Sequence, residues 1–230
     1  MLSLQGVSKW YSTDFGQPTK VLDQLELHLN KGDFLYIVGG TGAGKSTLLR
    51  LLATEETPSQ GAVSLFGYDL GSVSSNTLRA IRQVIGYIPQ DIRLIPDLSV
   101  YDNVALSLSL AGKRSLHADA KNRISEILER LGLSAKKDKP CHILSGGEAQ
   151  RVAVARALVR KPEMIIADEP TGAQDPDSTW AMMDLFVRAN MAGTTVVLAT
   201  HDRQIVRRVR KPCGNLKSGR IALEDSLCTY

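Results

Sequence analysis

Alternating apolar and polar positions dominate the N-terminal part of the chain. In VLDQLELHL, Val21, Leu25, Leu27 and Leu29 share a period of two, which predicts a half-buried strand. The turn-rich TDFGQP, Thr13 to Pro18, separates it from an earlier segment of the same kind. DFLYIV then reads as a buried strand running into glycines, and KSTLLRLLA carries the apolar spacing of a helix. GAVSLFG, Gly61 to Gly67, predicts a short strand, followed by the helical SNTLRAIRQ and the strand VIGYIP.

From Val100 to Lys137 the period is helical. VYDNVALSLSLAG and HADAKNRISEILERLGL predict two helices separated by the basic KRS. LSGGEAQRVAVARAL opens with two glycines and continues as an amphipathic helix. The strand EMIIAD, a helix from Ser178 to Asn190, the strand TTVVLAT and a basic helix to about Val209 follow. Strands alternating with helices imply a largely parallel sheet covered on both faces, with antiparallel N-terminal segments at its edge. The expected fold is therefore α/β, one domain spanning 1–230 with a helical subdomain inserted at about 91–145. Neither a repeat nor a coiled-coil heptad is visible.

Composition narrows the class. With 230 residues and 43% hydrophobic content, the chain is long enough for one core with a satellite, and disorder is a poor fit. The net charge of +4 is compatible with an anionic surface as partner, although RQIVRRVRKP, Arg203 to Pro212, reads more readily as a solvated helix face than as an anion-binding surface. Cys141, Cys213 and Cys228 have no CxxC spacing, so neither a disulfide framework nor a zinc site is expected, and a reducing compartment fits. No signal-peptide pattern and no run of eighteen apolar residues is present; at a membrane, something else must hold this protein.

The chemistry is concentrated in loops that follow strands. GGTGAGKST matches G-x-x-x-x-G-K-[ST] at Gly39, Gly40, Thr41, Gly42, Ala43, Gly44, Lys45 and Ser46, with Thr47 after it and the required strand and helix on either side. Glycines let backbone N–H groups converge on phosphates, the helix start adds its positive end, Lys45 supplies a mobile charge and Ser46 a magnesium ligand. MIIADEP puts Asp168 at the tip of a buried strand, where it is expected to hold magnesium through water. Glu169, next to it, is placed to polarise an attacking water, unless it is merely a surface acid. His201, ending the next strand, is expected near the γ-phosphate. Gln90, just before the helical insertion, could coordinate magnesium and report nucleotide state, or be ordinary loop chemistry. Trp10 and Tyr11 offer a face for adenine or an edge-packing pair. Ser145, Gly146 and Gly147 start a second helix with exposed amides. This reads either as an ordinary capped helix or as a second anion site, which a second copy of the chain would bring to the outer face of the triphosphate.

GGTGAGKST, YIPQD, LSGGEAQRVAVARAL, MIIADEP, the turn GAQD and ATHD stand in the order found in ATP-binding cassette (ABC) ATPases, which this chain resembles along essentially its whole length. The resemblance implies that Tyr11 stacks on adenine, Gly39 to Thr47 is the Walker A loop and Gln90 the Q-loop residue. It implies likewise that Leu144 to Gln150 is the signature meeting a partner copy's ATP, Asp168 the Walker B aspartate, Glu169 the catalytic glutamate, Asp175 the D-loop aspartate and His201 the switch histidine. The implied fold is a P-loop NTPase of ABC ATPase type, a mainly parallel core sheet with an antiparallel N-terminal β-subdomain and an inserted helical subdomain; ATP and Mg2+ are the implied cofactors, and a nucleotide-sandwiched homodimer the implied assembly.

YIPQDIRLIPDLSVYDNVALSLSLAG is similar to the bacterial cell-division branch of that family. For that branch the resemblance implies an integral membrane partner of FtsX type, received through Asp91 to Val104, control of cell-wall hydrolysis, and a peripheral position on the cytoplasmic face of the inner membrane. ADEPTG with ATHD is shared with lipoprotein-releasing and macrolide-exporting relatives, the alternative. A signature-motif ATPase of nucleic acid would carry long coiled coils between the motifs, so no direct nucleic-acid contact is expected. Three positions depart from the pattern: Ala173 and Gln174 before Asp175, Ile95 closing the Q-D-x-R-L-L run, and Ala149 in the signature.

Overall fold

The computed structural model describes residues 1–12, 16–109, 118–172 and 175–224. Thr13 to Phe15 of the expected turn, the KRS junction, Ala173, Gln174 and Cys228 lie outside the described residues.

Two sheets form the frame. β1 (Leu2–Tyr11), β2 (Thr19–Leu29), β4 (Gln60–Leu65) and β5 (Tyr68–Asp69) make a four-stranded antiparallel sheet in the order β2-β1-β4-β5. The core sheet takes β3 (Phe34–Val38), β6 (Ile85–Ile88), β7 (Met164–Asp168), β8 (Thr195–Ala199), β9 (Cys213–Lys217) and β10 (Arg220–Glu224) in the order β10-β9-β3-β8-β7-β6. All of its pairings are parallel except β10 on β9.

FLYIV, MIIAD and TVVLA are buried at every position because both faces of the core sheet are covered. Period-two alternation divides them: Phe34, Tyr36, Ile165 and Leu198 join one apolar cluster, while Leu35, Ile37, Ile166 and Val197 join the other. The second cluster is completed by the N-terminal sheet, α1 (Lys45–Leu52) and Ile81 of α2 (Ser75–Val84). The first is completed by α3 (Val100–Ser109), α4 (Ala118–Arg130), α5 (Gly146–Leu158), α6 (Pro176–Met191) and α7 (Arg203–Arg208).

The helical insertion is present as expected, and α3 and α4 pack on α5. The N-terminal strands close an antiparallel sheet of their own, as the expected β-subdomain requires, and one expectation is corrected: the antiparallel edge of the core sheet is the hairpin β9–β10 and not those N-terminal segments.

Candidate functional site

The glycine-rich loop joins β3 to α1 and can do so only with glycine at two of its turns. Gly39 has φ 153°, and a Cβ there would lie 2.3 Å from the Leu216 carbonyl oxygen; Gly44, with φ 101°, would meet the Leu22 side chain at 2.9 Å. The loop thus needs left-handed backbone where β9 and β2 press close. Lys45 Nζ donates to the carbonyl oxygens of Gly39 at 2.8 Å and Gly40 at 3.1 Å. Its charge is held over the loop that bears it.

The loop is one wall of a cleft of about 810 Å3. Every residue from Gly39 to Thr47 lines it, together with Gln90, Gly146, Asp168, Glu169 and His201. Positions spread over more than 160 residues therefore meet at the C-terminal tips of parallel strands, where open α/β sheets bind ligands.

Asp168 is 2% exposed. Burial pushes its carboxyl above the ordinary value and the neighbouring Glu169 charge adds to this, while a hydrogen bond with Ser46 and the charge of Lys45 pull the other way. A buried carboxylate beside a hydroxyl and within the same cleft as a glutamine amide is an all-oxygen donor set, which suits a hard divalent cation such as magnesium. Among the described residues no group of three or more histidine, cysteine, aspartate or glutamate side chains could hold a metal ion.

Glu169 has left-handed backbone, φ 48°. Its N–H donates to the Ala199 carbonyl at 3.0 Å, so the chain leaving β7 is pinned to the end of β8. That turn aims the carboxylate at His201: Oε1 lies 2.8 Å from Nδ1, and the His201 N–H reaches Oε2 at 3.4 Å.

Ser145 caps α5. Its Oγ accepts from the Glu148 N–H at 3.3 Å, and the Glu148 carboxylate accepts from the Ser145 N–H at 3.0 Å. Lys136 holds that carboxylate at 2.5 Å, and with the Ser145 backbone bond keeps its titration below the ordinary range. Gly146 lines the cleft, and a Cβ there would meet nothing within 4 Å. Ser145 and Gly147 are not among the lining residues of their own chain's cleft.

Asp175 caps α6 by accepting from the Ser178 N–H at 2.9 Å, and Pro176 fits the first helical position. Arg151 of α5 reaches both Ser178 and Asp175, the latter at 3.8 Å. The starts of α5 and α6 are tied together by this arginine, which the sequence does not advertise. Gln150, the last residue of the expected signature, is also in the lining, one helical turn from Gly146 on the same face.

Tyr11 stands at the end of β1 beside the loop but does not line the cleft. Its hydroxyl donates to Glu56 at 2.5 Å and reaches Thr47 Oγ1 at 3.4 Å, and Lys9 lies over its ring at 5.2 Å. Burial and the Glu56 carboxylate push the phenol up. Glu56, which also pairs with Lys9 at 3.2 Å and Arg50 at 3.1 Å, carries no sequence signal of this role.

The segment after Gln90 is held from α3. The buried Asn103 side chain accepts from the Ile95 N–H at 2.9 Å and donates to the Ile95 carbonyl at 3.0 Å. Arg156 of α5 donates to the Arg93 carbonyl at 2.6 Å. Asp91 and Arg93 are largely exposed, and Ile95 is 41% exposed.

The profile of the ABC transporter family matches residues 22–172. The chain is 42% identical to the cell division ATP-binding protein FtsE of Mycobacterium tuberculosis, covering 100% of this chain and 98% of that protein. It is 41% identical to the methionine import ATP-binding protein MetN of Caulobacter vibrioides, over 99% of this chain but 67% of that protein. Among solved structures it is similar to the bacterial ABC transporter cassette MJ0796. Its dimeric structure, and a dimeric post-hydrolysis state bound to ADP and Pi, each superpose with a TM-score of 0.91 at 32% identity over the whole of both chains.

Proposed function

Because this chain belongs to the ABC transporter family and is an ATPase of that family, we propose that it is the ATP-hydrolysing subunit of a bacterial cell-division complex. Two copies close on ATP in this reading, and the closure drives a conformational change in an integral membrane partner of FtsX type that regulates cell-wall hydrolysis. The observation that carries the enzymatic part is the convergence of Lys45, Ser46, Asp168, Glu169 and His201 on one cleft.

Division of labour follows from the environment of each group. The loop amides and Lys45 hold the β- and γ-phosphates, with Lys45 exchanging the Gly39 and Gly40 carbonyls for phosphate oxygens. Ser46, Asp168 and Gln90 would hold Mg2+, which neutralises phosphate charge when bound. Glu169 polarises the attacking water and accepts its proton, and His201, 2.8 Å from that carboxylate, orients it and touches the γ-phosphate. Ser145, Gly146 and Gly147 of a second copy cover the outer face of the triphosphate, exclude water and stabilise the charge of the transferring group. Tyr11 turns its ring toward adenine once nucleotide is present, and Asp175 sits at the seam.

Asp91 to Val104 is the surface assigned to the membrane partner. Its polar tip is exposed and its base is anchored to α3 by Asn103 and to α5 by Arg156, so a push at the tip reaches both Gln90 and the signature helix. No described helix is long and apolar enough to cross a membrane, and the peripheral position on the cytoplasmic face would come from this contact. Subunits of lipoprotein or drug exporters are the competing assignment. The cell-division relative is matched along 98% of its length and the methionine-import one along 67%, which supports the first reading. A crosslinking cysteine at Leu98 should capture a membrane protein of the division machinery in cells; capture of an exporter subunit, or of no membrane protein, contradicts the assignment.

A further inference from the structure

A second cleft, of about 520 Å3, lies away from the nucleotide site between α4 and the C-terminal halves of α5 and α6. Its volume is that of an ordinary small-molecule site. Ile127, Leu158, Pro162, Leu185 and Ala189 give it an apolar lining, and cationic side chains stand around them.

The charges there are unbalanced. Lys31 is occupied by Glu163 at 3.7 Å and Arg188 by Asp184 at 2.6 Å. Arg123, Arg130 and Lys161 have no carboxylate partner among the described residues, and Glu126 is the one further acid in the lining. Arg123 Nε is shielded from solvent and has no hydrogen-bond partner among the described residues. A guanidinium without a carboxylate partner beside an apolar cleft offers its terminal N–H groups to an anion in the bidentate geometry such groups favour.

We propose that this cleft binds a small acidic amphiphile, a carboxylate or phosphate monoester with a medium-length hydrocarbon tail. The head meets Arg123, Arg130 and Lys161, and the tail covers Ile127, Leu158 and Leu185. The walls come from two parts of the fold. Arg123, Ile127 and Arg130 lie three or four positions apart on one face of α4, within the helical insertion, whereas Leu185 and Ala189 belong to α6 on the core sheet. A bound molecule therefore fastens the insertion to the core at the end remote from ATP.

The test is titration of the full chain by calorimetry and by chemical-shift perturbation at constant ionic strength. The probes are octyl phosphate and octanoate, with octanol as a tail lacking charge and inorganic phosphate as a head lacking a tail. Octyl phosphate or octanoate should bind with a dissociation constant of about 0.1–1 mM, ordinary for a ligand of a dozen heavy atoms. The two controls should bind at least about 10-fold more weakly, since each forfeits half of the recognition. Arg123→Gln with Arg130→Gln should weaken binding at least about 10-fold, and Ala189→Trp, which adds bulk to the lining and removes none of its charges, should do the same. Vesicles of phosphatidylglycerol serve as a further arm: retention that the same variants abolish identifies a lipid source, and binding of the soluble probes alone identifies a free metabolite. Absence of binding by both acidic probes, or binding that the arginine and the cleft-filling variants leave unchanged, overturns the proposal.

Discussion

Glu169 Oε1 and His201 Nδ1 are 2.8 Å apart, the first at the end of β7 and the second at the end of β8. Adjacent parallel strands set the two side chains side by side, and the left-handed turn at Glu169 aims one at the other. In the proposed mechanism the base and the group that orients it are therefore in direct contact.

Replacing that carboxylate by an amide keeps its shape and removes its basicity. Glu169→Gln is expected to lower ATP turnover by about 100-fold or more, the range of a lost general base, while ATP binding persists. With ATP and magnesium the variant should elute at twice the monomer mass; a monomer throughout would count against nucleotide-driven closure.

Lys45 is within 3.1 Å of two loop carbonyls that cannot satisfy a full charge as phosphate oxygens can. Lys45→Ala should weaken ATP binding by about 10- to 100-fold, in line with about 1.5–3 kcal/mol for a hydrogen bond to a charged group. Fluorescent-nucleotide titration reads this directly, and unchanged affinity removes the role given to Lys45.

Asp168 is a buried acid whose titration is raised, so its ionised form opposes folding of the free chain at neutral pH. Asp168→Asn keeps the contact with Ser46 and removes the charge. Thermal unfolding without nucleotide should therefore occur at the same or a higher temperature, while magnesium-dependent ATPase activity is lost. A clear loss of stability would show that the carboxylate is a structural anchor instead.

The cap of α5 adds a pH dependence. Glu148 titrates below its ordinary value of 4.5 because Lys136 and the Ser145 N–H hold its ionised form. A lowered folded value means that its contribution is complete above about pH 4.5 and is lost as the pH falls through the lowered value. Ser145→Ala should cost about 1 kcal/mol, a shift of roughly 2–4 °C for a chain of this size. Glu148→Ala should flatten the acid limb of the stability profile, and an unchanged limb in urea melts between pH 3 and 6 would contradict the coupling.

Much of this site could be read from the chain before folding. Glycine at Gly39 and Gly44 is visible within one short motif even though β9 and β2 press on it from afar, and the apolar runs before Asp168 and His201 report buried strands whose tips must coincide in a parallel sheet. What stayed hidden is non-local. Arg151 meets Asp175 across 24 positions with no motif between them, and Glu56 gathers Tyr11, Lys9 and Arg50 without any spacing that betrays it. The hairpin β9–β10 was detectable in principle, because Ser218 and Gly219, with φ 50° and 76°, form the two-residue turn that favours hairpins. CGNLK alternates too weakly in hydrophobicity to announce a strand; its burial comes from lying beside β3.

The central claim is that each ATP is completed by the signature helix of the other copy, and a mixing experiment tests it most directly. Lys45→Ala disables one wall of the site. Gly146→Asp disables the other, and its added side chain meets nothing within 4 Å of the Cβ, so the fold tolerates it. Each variant alone should be inactive. Mixed in equal amounts, half the dimers carry one intact composite site, and ATPase activity should recover to about a quarter of the native rate by symmetry. A mixture no more active than the mean of its two components would mean that the signature acts within its own chain, and the account would be wrong.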